Sequence, residues 1–343
     1  MKLPWKTKGL VLTAPYRKEV DKVVRLIDEY LGPKGCDLLF LQIRYRYDFQ
    51  SHPECRGLDP LHYEDIKKIV AVCKKHNIRL IPKMNLQGHQ SGVPSICAPG
   101  AVPDSILHGH SDTVEPDIRD GLLRAYPEFD EMPDQKAVEY SRSLCLTNPL
   151  VKYILFDLMD ELIDVFEADA LHIGCDEVFH IGKCEECSKY SNRELFANWV
   201  TSLHDHLAKN NKQVFMWADR LLNHDETQYD IYESAINGTE GALYDIPKDI
   251  VLCDWHYTER TEYPSVDIFG NAGFKMLIGP GWLPHRVMNF IEYAKAHDQG
   301  HIDGVLMTTW CNSGELADCI LDNKPPVWER CGHVAEVIKL ILE

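Results

Sequence analysis

Asp176 and Glu177 stand side by side at the end of the run Ala170-Leu-His-Ile-Gly-Cys-Asp-Glu-Val178. The run opens as an apolar β-segment and closes in two carboxylates, with a histidine and a glycine just before them. In a chain with 53 acids an isolated Asp-Glu pair would be read as solvated loop charge. Position argues otherwise, because acids at the C-terminal tip of a buried strand are where an α/β barrel keeps its chemistry. Successive strand residues face opposite ways, so both acids can reach one pocket only if the strand bends or ends there. A carboxyl lodged near a second acid and near indole rings is expected to hold its proton more tightly than usual. A general acid that cleaves a glycosidic bond needs that property.

Other side chains of the same character end other apolar runs. The tips carry Tyr45, Arg46 and Tyr47; Asn85 and His89; Trp217 and Asp219; Asp254, Trp255 and Tyr257; Trp282; and Trp310 with Asn312. Each tryptophan taken singly is as well explained by core packing. Four of the seven at equivalent places suggest a shared aromatic wall. Indoles suit the C–H faces of a pyranose, and carboxylates suit its hydroxyls. The spacing His180-x-x-x-Cys184-x-x-Cys187 offers one knuckle of a zinc site and no second one. Free thiols in a polar loop are the favoured reading, and a zinc site is the alternative. No His-Glu-x-x-His occurs, and no Gly-x-Gly-x-x-Gly follows the first strand, so no metal or dinucleotide cofactor is expected.

The elements that must hold these groups follow from the periodicity. Eight apolar runs read as strands, over residues 9–15, 37–43, 79–85, 170–178, 213–220, 249–257, 275–282 and 304–311. Helical patterns separate most of them: Val20 to Leu31, His62 to Lys75, Asn148-Pro149 onward to Phe166, Arg193 to Lys209, and a last helix from Val327 to Leu342. Continuous apolar strands alternating with amphipathic helices mean a parallel sheet covered on its outer face. Eight units fit a (β/α)₈ TIM barrel, one α/β catalytic domain over residues 1–343. Residues 91–146 lose the periodicity and read as a long insertion expected to wall or lid the pocket.

Composition limits the partners. The formal net charge of −17 disfavours nucleic acid and anionic membranes. No apolar run is long enough to span a bilayer, and the N-terminus has no signal-peptide core. Twelve cysteines, several in apolar segments, suggest a reducing compartment, hence the cytoplasm. The expected partner is a small-molecule, oligosaccharide or glycoconjugate substrate, and a homodimer is compatible with the composition.

Leu171-His-Ile-Gly-Cys-Asp-Glu-Val178 resembles the His-x-Gly-x-Asp-Glu signature of glycoside hydrolase family 20, the β-N-acetylhexosaminidases. Ile81-Pro-Lys-Met-Asn-Leu-Gln-Gly-His89 resembles the strand-three segment of that family, and Met216-Trp-Ala-Asp219 its strand-five segment. The chain is similar to the family's single-domain, hexosaminidase D-like branch. The resemblance implies a retaining, substrate-assisted mechanism in which the 2-acetamido oxygen attacks its own anomeric carbon. It implies Glu177 as acid and base, Asp176 as the group holding the acetamide N–H, and His89 as a neighbour tuning Glu177. Trp217, Asp219, Trp255, Tyr257, Trp282 and Trp310 become substrate-binding candidates. At the end of strand one, where members carry a sugar-clamping arginine, Pro15-Tyr16-Arg17 stands, so Arg17 and Tyr47 join as displaced candidates. Tyr257 is the substitute for the acetamide-orienting tyrosine, since strand seven continues as Trp282-Leu-Pro284. These departures keep two alternatives open: a sugar-binding protein without catalysis, and a hydrolase for a different 2-acetamido sugar.

Overall fold

The computed structural model describes residues 3–91, 119–132 and 142–343. Its centre is a closed barrel of eight parallel strands in sequence order, with β1 pairing β8 to complete the ring. The strands are β1 (Thr7–Thr13), β2 (Leu38–Gln42), β3 (Arg79–Lys83), β4 (Ala170–His172), β5 (Gln213–Trp217), β6 (Val251–Trp255), β7 (Met276–Gly279) and β8 (Ile302–Thr308). All eight expected strands are present, and the fold is the expected (β/α)₈ barrel.

Strand alternation sorts two cores. Val11, Phe40, Ile81, Ala170, Phe215, Trp217, Val251, Cys253, Trp255, Leu277 and Leu306 fill the barrel interior. Their neighbours Leu10, Leu12, Leu39, Leu41, Val214, Met216 and Leu252 face outward, into the layer shared with the helices. The helices begin where the sequence puts caps. The Asn148 side chain accepts from Leu150 N–H with Pro149 following it, and Ser191 and Glu194 cap each other at the start of Asn192–Ala208. The first helix, Val20–Leu26, runs on as a π-helical turn over Ile27–Leu31. Helices Ser265–Asn271, Pro284–His297 and Ser313–Leu321, which the periodicity had not singled out, complete the outer ring.

Two stretches differ in a way that matters for chemistry. β4 is regular only over Ala170–His172; Ile173 and Gly174 still bond to the neighbouring strand ends, and Gly174, Cys175 and Glu177 all take positive φ. Most of the 91–146 insertion lies outside the described residues. Its described part contains a short helix, Gly121–Ala125, and an antiparallel bridge between Asp130 and Leu144. No helix among the described residues is long and apolar enough to cross a membrane.

Candidate active site

The early end of β4 removes the difficulty posed by adjacent acids. Beyond Gly174 the positive φ of Cys175 and Glu177 breaks the strand's alternation, and Asp176 and Glu177 both face His89. His89, on the loop after β3, meets them: its Nε2 lies 3.2 Å from Asp176 Oδ2 and 3.4 Å from Glu177 Oε2. Each carboxylate side chain keeps a small accessible fraction, 12% for Asp176 and 11% for Glu177, so both can meet a ligand.

Glycine makes this approach possible. A Cβ on Gly88 would lie 2.7 Å from the Asp176 carbonyl oxygen, and one on Gly174 would lie 2.8 Å from Asn85 Cα. The glycines of the Gly-His and His-x-Gly segments are therefore where the β3 and β4 loops touch. His89 is in turn fixed from behind. Arg44 Nη2 donates to its carbonyl at 2.9 Å and pairs with Asp120 at 2.9 Å. Gln90 Nε2 donates to the Asn85 and Gly88 carbonyls, while Tyr45 Oη donates to Gln90 Oε1 at 2.6 Å.

Charge is distributed unevenly over the site. Burial disfavours an imidazolium at His89, yet Asp176 and then Glu177 outweigh it and raise its pKa to about 9. Burial would raise the Asp176 carboxyl, but His89 and Lys83 hold it well below the usual carboxylate range. Lys83 lies inside the barrel, fully buried, over the rings of Trp217 and Trp310 at 5.4 and 5.6 Å. Its ammonium donates to Asn85 Oδ1 at 2.8 Å, and Asn85 Nδ2 donates to Asp176 Oδ1 at 2.8 Å. Burial lowers the Lys83 pKa to about 8, with Asp176 opposing the fall. The motif histidine, His172, is packed against Trp217 and Phe40, its pKa well below the ordinary value through burial and the nearby Lys83.

Asp219 is a further buried carboxyl of the site. Burial pushes it up to about 6 against the pull of Arg220, and Asp176 and Glu177 add to the rise. It remains an anion at neutral pH and is fully engaged. It accepts from Glu177 N–H at 2.9 Å, Arg220 Nε at 2.7 Å and Trp255 Nε1 at 3.1 Å. Asp219 thus fixes the Glu177 backbone and the Trp255 indole.

The aromatic candidates do gather. Trp217 and Trp310 lie 5.8 Å apart, Trp255 and Tyr257 4.7 Å, and Tyr257 and Trp282 4.8 Å, centroid to centroid. Trp310 Nε1 donates to Tyr257 Oη at 2.8 Å, which ties the β6 and β8 ends together.

Two candidates lie elsewhere. Arg17, at the start of the 3-10 turn Arg17–Glu19, is exposed and pairs with Asp65 at 3.2 Å. Tyr47 packs edge-on against Phe49 in the outer core. Beside strand one, the buried arginine is Arg46, which spends its guanidinium on the Ala14 and Pro15 carbonyls.

Three residues of the site were not singled out. Lys83 shares the inward face of β3 with Ile81, so period-two counting could have found it. Arg220 follows Asp219 directly and is its ion-pair partner. Arg330, from the last helix, is stacked at 4.2 Å on both Trp282 and Trp328, and no strand-tip reasoning reaches it. Of the zinc alternative, Cys184 and Cys187 do lie together, whereas His180 is not in that cluster.

An eight-stranded parallel barrel with paired acids and an aromatic wall at its C-terminal rim is a (β/α)₈ barrel with its candidate site at the end where such barrels keep their chemistry. A profile described as glycosyl hydrolase family 20, catalytic domain, matches residues 45–277, more than half of the chain, and the chain belongs to that family. A β-hexosaminidase of Emericella nidulans is 23% identical over 208 residues, covering 57% of this chain and 28% of the relative. Among solved structures, a Flavobacterium johnsoniae chitobiase superposes with a TM-score of 0.62 at 19% identity, covering 99% of this chain and 52% of its own. A Vibrio harveyi exo-β-N-acetylglucosaminidase, solved with N-acetylglucosamine, gives 0.63 at 14% identity, covering 98% and 55%. Dispersin B gives 0.54 at 15% identity and is covered over 98% of both chains. At these identities the superpositions show the fold alone. The chain spans about a quarter of the Emericella relative and about half of the first two structures.

Proposed function

We propose that the protein is a retaining glycosidase that removes terminal β-linked N-acetylhexosamine, GlcNAc or GalNAc, from an oligosaccharide or glycoconjugate. One observation carries the reading: the carboxylates of Asp176 and Glu177 converge on His89 at the barrel rim beside the tryptophan cluster. On this reading Glu177 gives its proton to the glycosidic oxygen as the substrate's acetamide oxygen attacks C1. The C1–O bond breaks, the alcohol leaves, and an oxazolinium ion forms. Glu177 then takes a proton from water as that water attacks C1, the C1–O bond to the acetamide oxygen breaks to restore the neutral acetamide, and the sugar leaves with its configuration retained. Because the nucleophile is already part of the substrate, its attack is intramolecular, with the large proximity advantage that brings.

The electrostatics support the division of labour. An Asp176 kept ionised by His89 and Lys83 suits a group that accepts the acetamide N–H and faces a developing cation. Trp217, Trp255 and Trp310 would enclose the acetamide, with Tyr257 supplying the hydroxyl near it and Trp282 the stacking face for the sugar. We further propose that residues 1–343 act as one catalytic domain carrying the 91–146 insertion, in the cytoplasm, with a homodimer as the form to look for. The enzyme is expected to release chromophore from aryl N-acetylglucosaminides or N-acetylgalactosaminides and to lose that activity in Glu177→Gln. A Glu177→Gln variant as active as the parent would refute the assignment.

A further inference from the structure

Away from the carboxylate pair, four potential ligands from separate parts of the sequence meet at one point. Glu131 and Cys145 come from the insertion after β3, and Cys184 and Cys187 from the loop after β4. One ligand atom from each lies within 4.8 Å of all the others. Cys145 Sγ is 3.5 Å from Cys184 Sγ and 3.7 Å from Cys187 Sγ. We infer that Glu131, Cys145, Cys184 and Cys187 form a structural zinc site that clips the β3 insertion to the loop running on from the catalytic acids.

Three features carry this. The first is spacing. Thiolates bound to zinc at about 2.3 Å in a tetrahedron sit about 3.8 Å from one another, close to the separations found. A disulfide would require about 2.05 Å and would leave a third sulfur over.

The second is the carboxylate. Glu131 is 1% exposed, and one of its oxygens accepts from Lys183 N–H at 2.6 Å and Cys184 N–H at 3.3 Å. Among the described residues its Oε2 is buried with no N–H or O–H donor on it, and the side chain that bonds to the carboxylate is the Cys187 thiol. A buried carboxylate oxygen left in that state is costly, and a cation among the sulfurs would satisfy it.

The third is the surrounding frame. Cys187 N–H donates to Cys184 Sγ at 3.3 Å, and Thr147 Oγ1 is 3.4 Å from both Cys145 Sγ and Cys187 Sγ, so donors are ready to offset thiolate charge. Paired backbone bonds, Glu131 N–H to the Ser143 carbonyl and Cys145 N–H to the Phe129 carbonyl, set the two insertion ligands beside each other.

Four protein ligands leave no open position, so the ion would be structural and would take no part in turnover. The softness of three thiolates selects zinc over magnesium or calcium. Its effect would be mechanical, since Cys184 lies seven residues beyond Glu177 and the opposing ligands belong to the segment expected to wall the pocket.

The test is metal content and spectroscopy on the full chain purified from zinc-supplemented cells without chelator. About one zinc per chain is expected, falling roughly tenfold or more in Cys184→Ser. Replacement of zinc by cobalt should give the thiolate-to-cobalt charge-transfer band in the near ultraviolet and the strong visible bands of tetrahedral cobalt. Should Cys184→Ser fail to fold, the parent's zinc content and cobalt spectrum decide the matter alone. A parent chain that carries no zinc while its thiols titrate as free would overturn the site. So would a native disulfide among Cys145, Cys184 and Cys187 found by mass spectrometry.

Discussion

Replacing Asp176 by Asn removes one of two anions that hold His89 protonated while leaving the side chain's size unchanged. Two unit charges about 3.3 Å apart attract by about 5 kcal/mol at an effective dielectric of about 20. Two such carboxylates therefore offer more than the rise of the His89 pKa from 6.5 to about 9 requires, which corresponds to about 3 kcal/mol. Burial takes up the difference. Asp176 is the larger of the two attractions, so its neutralisation should lower the His89 pKa by at least about one pH unit. The assay is a proton–carbon NMR titration of the histidine Cε1–H signals. It has an internal control, because His256 is also clamped by two carboxylates, Glu233 and Asp254, each at 3.0 Å, with its pKa likewise raised to about 9. Asp176→Asn should move His89 and leave His256 in place. The sign for stability follows. A raised histidine stabilises the fold fully below pH 6.5 and loses that contribution as pH rises through about 9. The parent should therefore lose up to about 3 kcal/mol from His89 across that window, and Asp176→Asn should lose less. An unchanged His89 pKa in Asp176→Asn would refute the reasoning.

Glu177→Gln should lower kcat by roughly a hundredfold to ten-thousandfold with KM little changed, and more for poor leaving groups than for nitrophenol. An equal loss for both would argue against proton donation. Asp219→Asn should cost about 3–5 kcal/mol in urea unfolding, because it leaves the fully buried Arg220 guanidinium without its counter-charge. A cost under about 1 kcal/mol would mean the pair is not formed. Glu233 is held down to about 2 by His256 and Arg260 against the effect of burial. Its stabilisation is present above pH 4.5 and should disappear as pH falls toward 2, so Glu233→Gln should flatten the acid limb of the stability profile. Gly174→Ala should lose both stability and activity, since φ is +72° and the new methyl meets Asn85 Cα.

The barrel was legible because its strands are continuous apolar runs whose tips carry acids and indoles. Period-two alternation then assigns the cores, as Phe215 and Trp217 inward and Val214 and Met216 outward illustrate. The convergence of Asp176 and Glu177 was legible only as a condition. No pattern in the residues says that β4 stops at His172, because that depends on backbone signs at Gly174, Cys175 and Glu177. Arg17 pairs with Asp65, a partner that a position near a strand end does not foretell. Lys83 went unremarked because a single lysine in an apolar strand looks like an edge residue until the ring closes. Asp219 could be tied to Trp217 by sequence, but its bonds to the Glu177 backbone and Trp255 join three different strand ends. Cys184 and Cys187 lacked their remaining ligands for the same reason: Glu131 and Cys145 lie 39 to 56 residues away in an aperiodic stretch.

Participation of the substrate's own acetamide is tested most directly by hydrolysis of aryl glycosides whose N-acetyl group carries zero, one, two or three fluorines. Each fluorine weakens the carbonyl oxygen as a nucleophile and leaves the leaving group unchanged. With Glu177 as acid and Asp176 gripping the N–H, kcat/KM should fall steeply along the series. A flat series, or a sugar covalently attached to Asp176 or Glu177, would contradict it.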